Sequence, residues 1–366
     1  MTSQRMKTSL LWIGTVFLLL GANHALGQSR RHEPIIPNLP TNPSLAPSTV
    51  PPNGDLNPYG VAFVPHNFAG SKSLKSGDIV VSNFNDSANV QGTGTTIVRI
   101  TPDAQTFVFF QGPAGLGFTT ALGVLRRGFV LVGSLPTTDG TCSTIGQTSL
   151  LIIDRNGSLV ATLSDPSLLN GPWDLTIHDQ GELAQVFVSN VLSGTVTRIN
   201  LKIGQHGNPI VEGMTQIASG YGIACNAAAV VVGPTGLAYD AVKDILYVAS
   251  TSDNEIFAVP NARKTKSDQG TGTLVYQDNV HLHGPLGLLL APNGDLITAN
   301  GDAINGDPSQ PSELVEFTPA GQFIGQFSVD PSQGAAFGLA VKTSGDRVTF
   351  AAVDDATNIL DIWDLD

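Results

Sequence analysis

Apolar residues along this chain fall into short runs broken by clusters of Gly, Pro, Asn and Asp, a pattern of strands joined by tight turns. Residues 283–302, HGPLGLLLAPNGDLITANGD, show the unit: Pro-x-Gly-Leu leads into an apolar strand, Asn-Gly-Asp makes a hairpin turn, and a second strand ends on Asn300. The opening motif recurs as NPYGVAFV (57–64), TALGVL (120–125), GPWDLTI (171–177), GPTGLAY (233–239), GPLGLLL (284–290) and AAFGLAV (335–341). Aligned on Gly60, Gly123, Asp174, Gly236, Gly287 and Gly338, the six copies are 63, 51, 62, 51 and 51 residues apart. Self-similarity at such a period marks a repeat architecture with loop insertions in two copies.

Each copy supplies a second strand, such as DIVVSN (78–83) or DILYVAS (244–250), and a third, such as TVTRI (195–199) or SELVEF (312–317). TFVFF (106–110), SLVATL (158–163), GTLVY (272–276) and QFIGQF (322–327) read as outer fourth strands. The expected fold is therefore all-β, a six-bladed β-propeller of four-stranded antiparallel blades. The sixth copy has only three residues after Trp363, so its outer strand must come from elsewhere or be missing, and some part of the N-terminal segment is expected to close the ring. Pro-x-Gly-Leu then starts each innermost strand, where glycine permits close approach of neighbouring blades.

The stretches PTGLAYDAVKDILYVASTSDNEIFAV (234–259) and PLGLLLAPNGDLITANGD (285–302) resemble the NHL-repeat family of six-bladed propellers, here of an exported bacterial type, and weaker copies cover the rest of residues 57–366. The resemblance implies a propeller that serves as a binding platform, a carbohydrate-acting or lactone-acting enzyme, or a lyase. The family often carries Asp after the second strand, where this chain has Asn83, Ser134, Asn190, Ser250, Asn300 and Val353. Lactone-hydrolysing propellers of similar fold hold a metal with a first-strand Glu plus Asn and Asp from other blades, and no first strand here contains Glu.

The N-terminus adds a compartment. Arg5 and Lys7 precede the apolar run LLWIGTVFLLLG (10–21) and the small residues Ala25 to Gly27, the order of a secretory signal peptide. The run is shorter than the ~20 residues that span a bilayer. We expect a leader over residues 1–27, a Pro-rich linker and closing segment over 28–57, and the propeller over 58–366, in a periplasmic or secreted monomer with no transmembrane segment once the leader is removed. Loss of Arg5 and Lys7 takes the net charge from −12 to −14, which argues against nucleic acid as a partner. In an oxidising compartment the two cysteines, Cys142 and Cys225, are expected to pair and to tie two long insertions together. The loop so closed would span 83 residues and contribute ~4 kcal/mol in the chain-entropy model.

In an antiparallel blade the loop into the first strand and the loop after the second emerge on one face. That face collects the candidate ligand-binding residues Asn83, Asp86, Asn190, Asp253, His283, Asn300 and Asp302 around the channel mouth. Asn190, Asn300 and Asp302 offer the hard oxygens that Ca2+ would require, and His283 is the candidate proton carrier. Turn chemistry competes, because Asn, Asp and Ser bond to nearby backbone wherever they occur in loops. Three functional readings result: a binding module for a small molecule, glycan or protein; a metal-assisted lactonase, hydrolase or lyase on a sugar-like or cyclic ester substrate; and a structural protein of the cell envelope.

Overall fold

The computed structural model describes residues 1–2, 32–205 and 207–365. The leader expected over 1–27 lies, apart from Met1 and Thr2, outside the described residues, and none of the described helices is long and apolar enough to cross a membrane.

The chain forms six antiparallel blades. Blade one is β1 Leu56–Phe63, β2 Ile79–Asn85, β3 Thr96–Ile100 and β4 Thr106–Gln111; blade two is β5 Phe118–Leu125, β6 Phe129–Ser134, β7 Ser149–Asp154 and β8 Leu159–Leu163. Blade three is β9 Pro172–Asp179, β10 Leu183–Asn190, β11 Thr195–Lys202 and β12 Ile210–Ser219, followed by a short hairpin, β13 Ala224–Asn226 and β14 Val230–Val232. Blade four is β15 Pro234–Asp240, β16 Ile245–Ser250, β17 Glu255–Pro260 and β18 Thr273–Gln277. Blade five is β19 Pro285–Leu290, β20 Leu296–Asn300, β21 Glu313–Phe317 and β22 Phe323–Ser328, and blade six is β23 Ala336–Ser344, β24 Arg347–Asp354 and β25 Ile359–Leu365. Sequence reading missed β12, whose IVEGMTQIAS alternates weakly because only its end is buried.

The N-terminal segment closes the ring. Main-chain N–H groups of Ser44, Leu45 and Thr49 donate to Ile362 and Asn358, and Leu360 and Ile362 donate back to Pro47 and Leu45, giving β25 the outer partner it would otherwise lack. Upstream, the Glu316 carboxylate accepts the N–H groups of Ile35 and Ile36, and Trp363 Nε1 donates to Pro40 O.

Both faces of each blade pack against neighbours, so the second strands are buried along nearly their whole length, as in β2 and β6. Apolar clusters fill the spaces between successive blades, for example Leu131, Ile152, Leu175, Val186 and Val188 between blades two and three. This is why the strands read as near-continuous apolar runs.

Every blade has a β-bulge at the start of its inner strand, where the register against the second strand slips. Two inner-strand residues oppose one in five blades, Tyr59 and Gly60 facing Ser82 for instance. In blade two the slip runs from Phe118 to Leu122, one residue longer, so Leu122 corresponds to Val61. The alignment on Gly123 is thus displaced, and Ala121 holds the position of Gly60. The glycine after the bulge is required by the next blade: a Cβ on Gly338 would lie 2.1 Å from Tyr59 O, and one on Gly287 2.2 Å from Phe337 O.

Candidate functional site

A bulge leaves a residue unpaired and re-aims its side chain. Here four of the x residues of Pro-x-Gly-Leu, Tyr59, Trp173, Leu286 and Phe337, gather in one apolar cluster with Phe84 from β2, while the x residue of blade four, Thr235, bonds Thr251 Oγ1 and Pro285 O. Tyr59 stacks on Phe84 at 4.7 Å and on Phe337 at 4.4 Å between ring centroids, with Trp173 edge-on to both Tyr59 and Phe84 at 6.0 and 5.8 Å. All these side chains are buried. They form an aromatic plug at the end of the channel where the candidate residues were expected to meet a ligand.

A cap lies over the plug. Cys142 and Cys225 are disulfide-bonded with Cα atoms 5.6 Å apart, as expected. The β13–β14 hairpin that carries Cys225 also takes Gln91 Nε2 on Ala228 O at 2.8 Å and gives Asn226 Nδ2 to Ala303 O at 3.1 Å, so blades one, two and five all hold it. Val230 and Val231 from the hairpin, with Leu135, Ile145 and Leu192 from neighbouring loops, belong to the same apolar cluster as the plug.

Of the predicted face residues, Asn83, Asn190, Asn300 and His283 are built into this cover, whereas Asp86 and Asp302 are half-buried and Asp253 is exposed. Asn83, Asn190 and Asn300 are each 0% exposed. Asn83 Nδ2 donates to Thr49 O in the closing segment; Asn190 Nδ2 donates to Leu168 O, Thr195 Oγ1 and Thr197 Oγ1; Asn300 donates to His281 O and accepts from His283 N. The bulge shifts the pairing so that these amides reach outward to the loops that enter their own blades. Asp86 caps its own turn through Ala88 N and Val90 N, and shares with Asp55, Thr93 and Thr95 a surface cleft of about 400 Å³. Asp253 ties the cap to blade four by accepting from Gly222 N and Ser250 Oγ. His283 is 2% exposed, with Nδ1 2.5 Å from Asn305 O and Nε2 3.2 Å from Val280 O, which leaves neither ring nitrogen directed at solvent.

Asp302 accepts from Ser312 N and Gly334 N, and burial raises its carboxyl above the usual range. Burial likewise pushes neighbouring Glu313 up to about 7, with the Asp302 charge adding to it. Asn83 Oδ1, Asn190 Oδ1, Asp302 Oδ1 and Glu313 Oε1 are buried without a hydrogen-bond partner among the described residues, the kind of oxygen a calcium ion seeks. They belong to three blades, and no three His, Cys, Asp or Glu side chains converge on one point among the described residues.

Below the plug the channel is open. A cavity of about 390 Å³ runs along the axis, lined by all six inner strands from Thr120, Asp174 and Gly338 at the closed end to Phe63, Val124, Ile177 and Tyr239 at the far end. Those last residues stand at the hairpins between first and second strands, so the cavity opens on the face opposite the cap. Its walls are Leu122, Leu175, Leu237, Leu288 and Leu339, together with the unpaired backbone edges of the inner strands.

Asp174 is the one carboxyl in this lining. It occupies the position that is glycine in four other blades, and it fits because its side chain bridges blades: Oδ1 accepts Leu175 N at 2.7 Å and Oδ2 accepts Leu237 N of blade four at 3.0 Å. Burial pushes its carboxyl well above the usual range against the pull of those two N–H donors. Neither the plug residues nor Asp174 was singled out from sequence. The signals were present as Tyr, Trp and Phe at x and as the one repeat with Asp in place of Gly.

No family model and no curated protein matches the chain. Solved structures do resemble it. A gluconolactonase of Xanthomonas campestris is 14% identical with a TM-score of 0.53, over 88% of this chain and 96% of that one. The calcium-binding protein regucalcin of Agrobacterium tumefaciens is 14% identical with a TM-score of 0.51, over 89% and 95%. The major allergen Mala s 1 of Malassezia sympodialis is 13% identical with a TM-score of 0.54, over 89% and 95%. At these identities the likeness is one of fold.

Proposed function

We propose that this protein is an exported binding module whose ligand enters the central channel from the uncapped face. The observation that carries the reading is the pairing of a sealed and an open end: an aromatic plug under a disulfide-tied cap on one side, and a cavity of ligand size bounded by the six inner strands on the other. The export component rests on the leader-like residues 1–27, followed by a closing segment over 28–57 and the propeller over 58–366, and on a disulfide of the kind kept in oxidising compartments.

The lactonase reading has the fold in its favour, since gluconolactonases and regucalcin are among the similar structures. The residues of this chain favour binding instead. Among the inner-strand positions nearest the plugged mouth, Trp173, Leu286 and Phe337 offer no side-chain oxygen, and His283 has both nitrogens engaged.

Thermal unfolding of the mature protein with Ca2+ or EDTA, alongside hydrolysis of glucono-1,5-lactone, tests this together with a fragment screen by thermal shift. We expect no calcium-dependent shift, no hydrolysis, and fragment hits that vanish when the channel is filled by Thr176→Phe or Ala62→Phe. Calcium-dependent lactone hydrolysis would overturn the reading, as would a screen whose hits are all indifferent to channel filling.

A further inference from the structure

We propose that the channel is a site for a compact organic amine, its ammonium group held by Asp174 at the closed end and its body lying along the inner strands that line the channel. This rests on the channel being the binding site and names the chemistry of its ligand. The lining contains no Lys, Arg or His, and its one other ionisable group is Tyr239 at the open end, whose hydroxyl is already given to Asp244. A site with a single carboxyl and no cation selects against anions and in favour of a donor that carries positive charge.

Geometry supplies the rest. An ionised carboxylate has about four acceptor positions. Two are taken by Leu175 N and Leu237 N, which fix the plane of the group across the joint between blades three and four. The remaining lone pairs are free for the channel, into which Asp174 is turned. An ammonium has three donors, and carbonyls of the inner strands that line the channel have second lone pairs for those that Asp174 does not take. The same strands bound the rest of the molecule.

The carboxyl also stores a reason to bind a cation. Burial holds it above its usual range with no cation among the causes acting on it, so an ammonium paired with it favours its ionised form. To the extent that the carboxyl is protonated in the empty channel, its O–H breaks on binding, the proton passes to solvent, and the carboxylate pairs with the ligand's N–H donors. Amine affinity therefore rises with pH until the amine itself loses its charge.

Isothermal titration of cyclohexylamine, cyclohexanol and cyclohexanecarboxylate into the wild-type protein, in phosphate and in MOPS at neutral pH, tests the assignment. We expect the amine to bind at least about tenfold more tightly than the other two, as a charge-assisted hydrogen bond implies, with buffer-dependent heat reporting proton release. Asp174→Asn is expected to abolish both the preference and the release, and Thr176→Phe to abolish binding. Equal affinity for amine and alcohol in the wild type overturns the inference, and that comparison stands even if Asp174→Asn fails to fold. A preference that survives Asp174→Asn also overturns it. If none of the three probes binds while fragment hits remain sensitive to Thr176→Phe, the amine assignment fails and the channel reading stands; if no hit is sensitive to that change, the channel reading itself has failed.

Discussion

Asn190 illustrates how a residue that looks like a ligand can be a structural brace. Its amide bonds to a carbonyl and two hydroxyls inside blade three, and it is fully buried. Asn190→Ala strands those partners, and the expected cost is about 1–3 kcal/mol in urea unfolding, identical in calcium and in EDTA. A metal ligand would give a cost that appears only with calcium. Trp173 offers the complementary case. Its ring is buried in the plug, yet its Nε1 has no hydrogen-bond partner among the described residues. Trp173→Phe therefore keeps the edge-on packing and relieves an unpaired donor, and is expected to change stability by less than about 1.5 kcal/mol. Trp173→Ala opens a cavity and is expected to cost about 3–5 kcal/mol by chemical unfolding.

At the scale of elements, the ring depends on a closing segment contributed from far away in the chain. Residues 44–49 make four main-chain hydrogen bonds with β25 and a fifth to Asn358 just before it, and residues 35–40 add those to Glu316 and Trp363. A chain begun at Val50 leaves β25 as a bare edge, so its melting temperature is expected to fall on the order of 10 °C, with aggregation visible by light scattering at lower temperature than for the longer protein. The need for this strand was legible, because the sixth repeat runs out three residues after Trp363. The repeats were legible for a similar reason: turns demand Gly, Asn and Asp at fixed offsets, and these survive where side chains vary. The bulges were not. A one-residue slip leaves no mark in the alternation of apolar residues, so the x residues read as ordinary strand positions when four of them form the plug, and the extra bulge residue of blade two displaced the alignment onto Gly123. The amides of Asn83, Asn190 and Asn300 were placed on the correct face, but the outward reach that buries them follows from pairing register, which periodicity alone does not carry.

The whole molecule is acidic and keeps many of its carboxyls out of water, which makes its stability depend on pH in an uncommon direction. Burial pushes Glu313, Glu316, Asp355 and Asp361 up to about 7, with neighbouring carboxylates adding to the effect at Asp355 and Asp361, and raises Asp174 as well. A carboxyl raised in the folded state holds its proton there while the unfolded chain has already released it. The stability it contributes is thus complete below the unfolded value, 3.8 for Asp and 4.5 for Glu, and is lost as pH rises through the folded value near 7. Asp103, Asp139, Asp165 and Asp307 act oppositely, their carboxyls lowered chiefly by local hydrogen bonds, but they are fully exposed and solvent screens them. Rising pH also ionises more acid on a molecule already at −12. The melting temperature is therefore expected to fall by several degrees between about pH 5 and about pH 8 by calorimetry, where many proteins hold steady. Glu316→Gln keeps an acceptor for only one of the Ile35 and Ile36 N–H groups, which bind different oxygens, and cannot ionise, so it should lower stability overall and flatten this slope. A melting temperature that climbs over this range, or a slope unchanged in Glu316→Gln, would mean that these buried acids are ionised in the fold and that the closing segment is held by charge rather than by a neutral carboxyl.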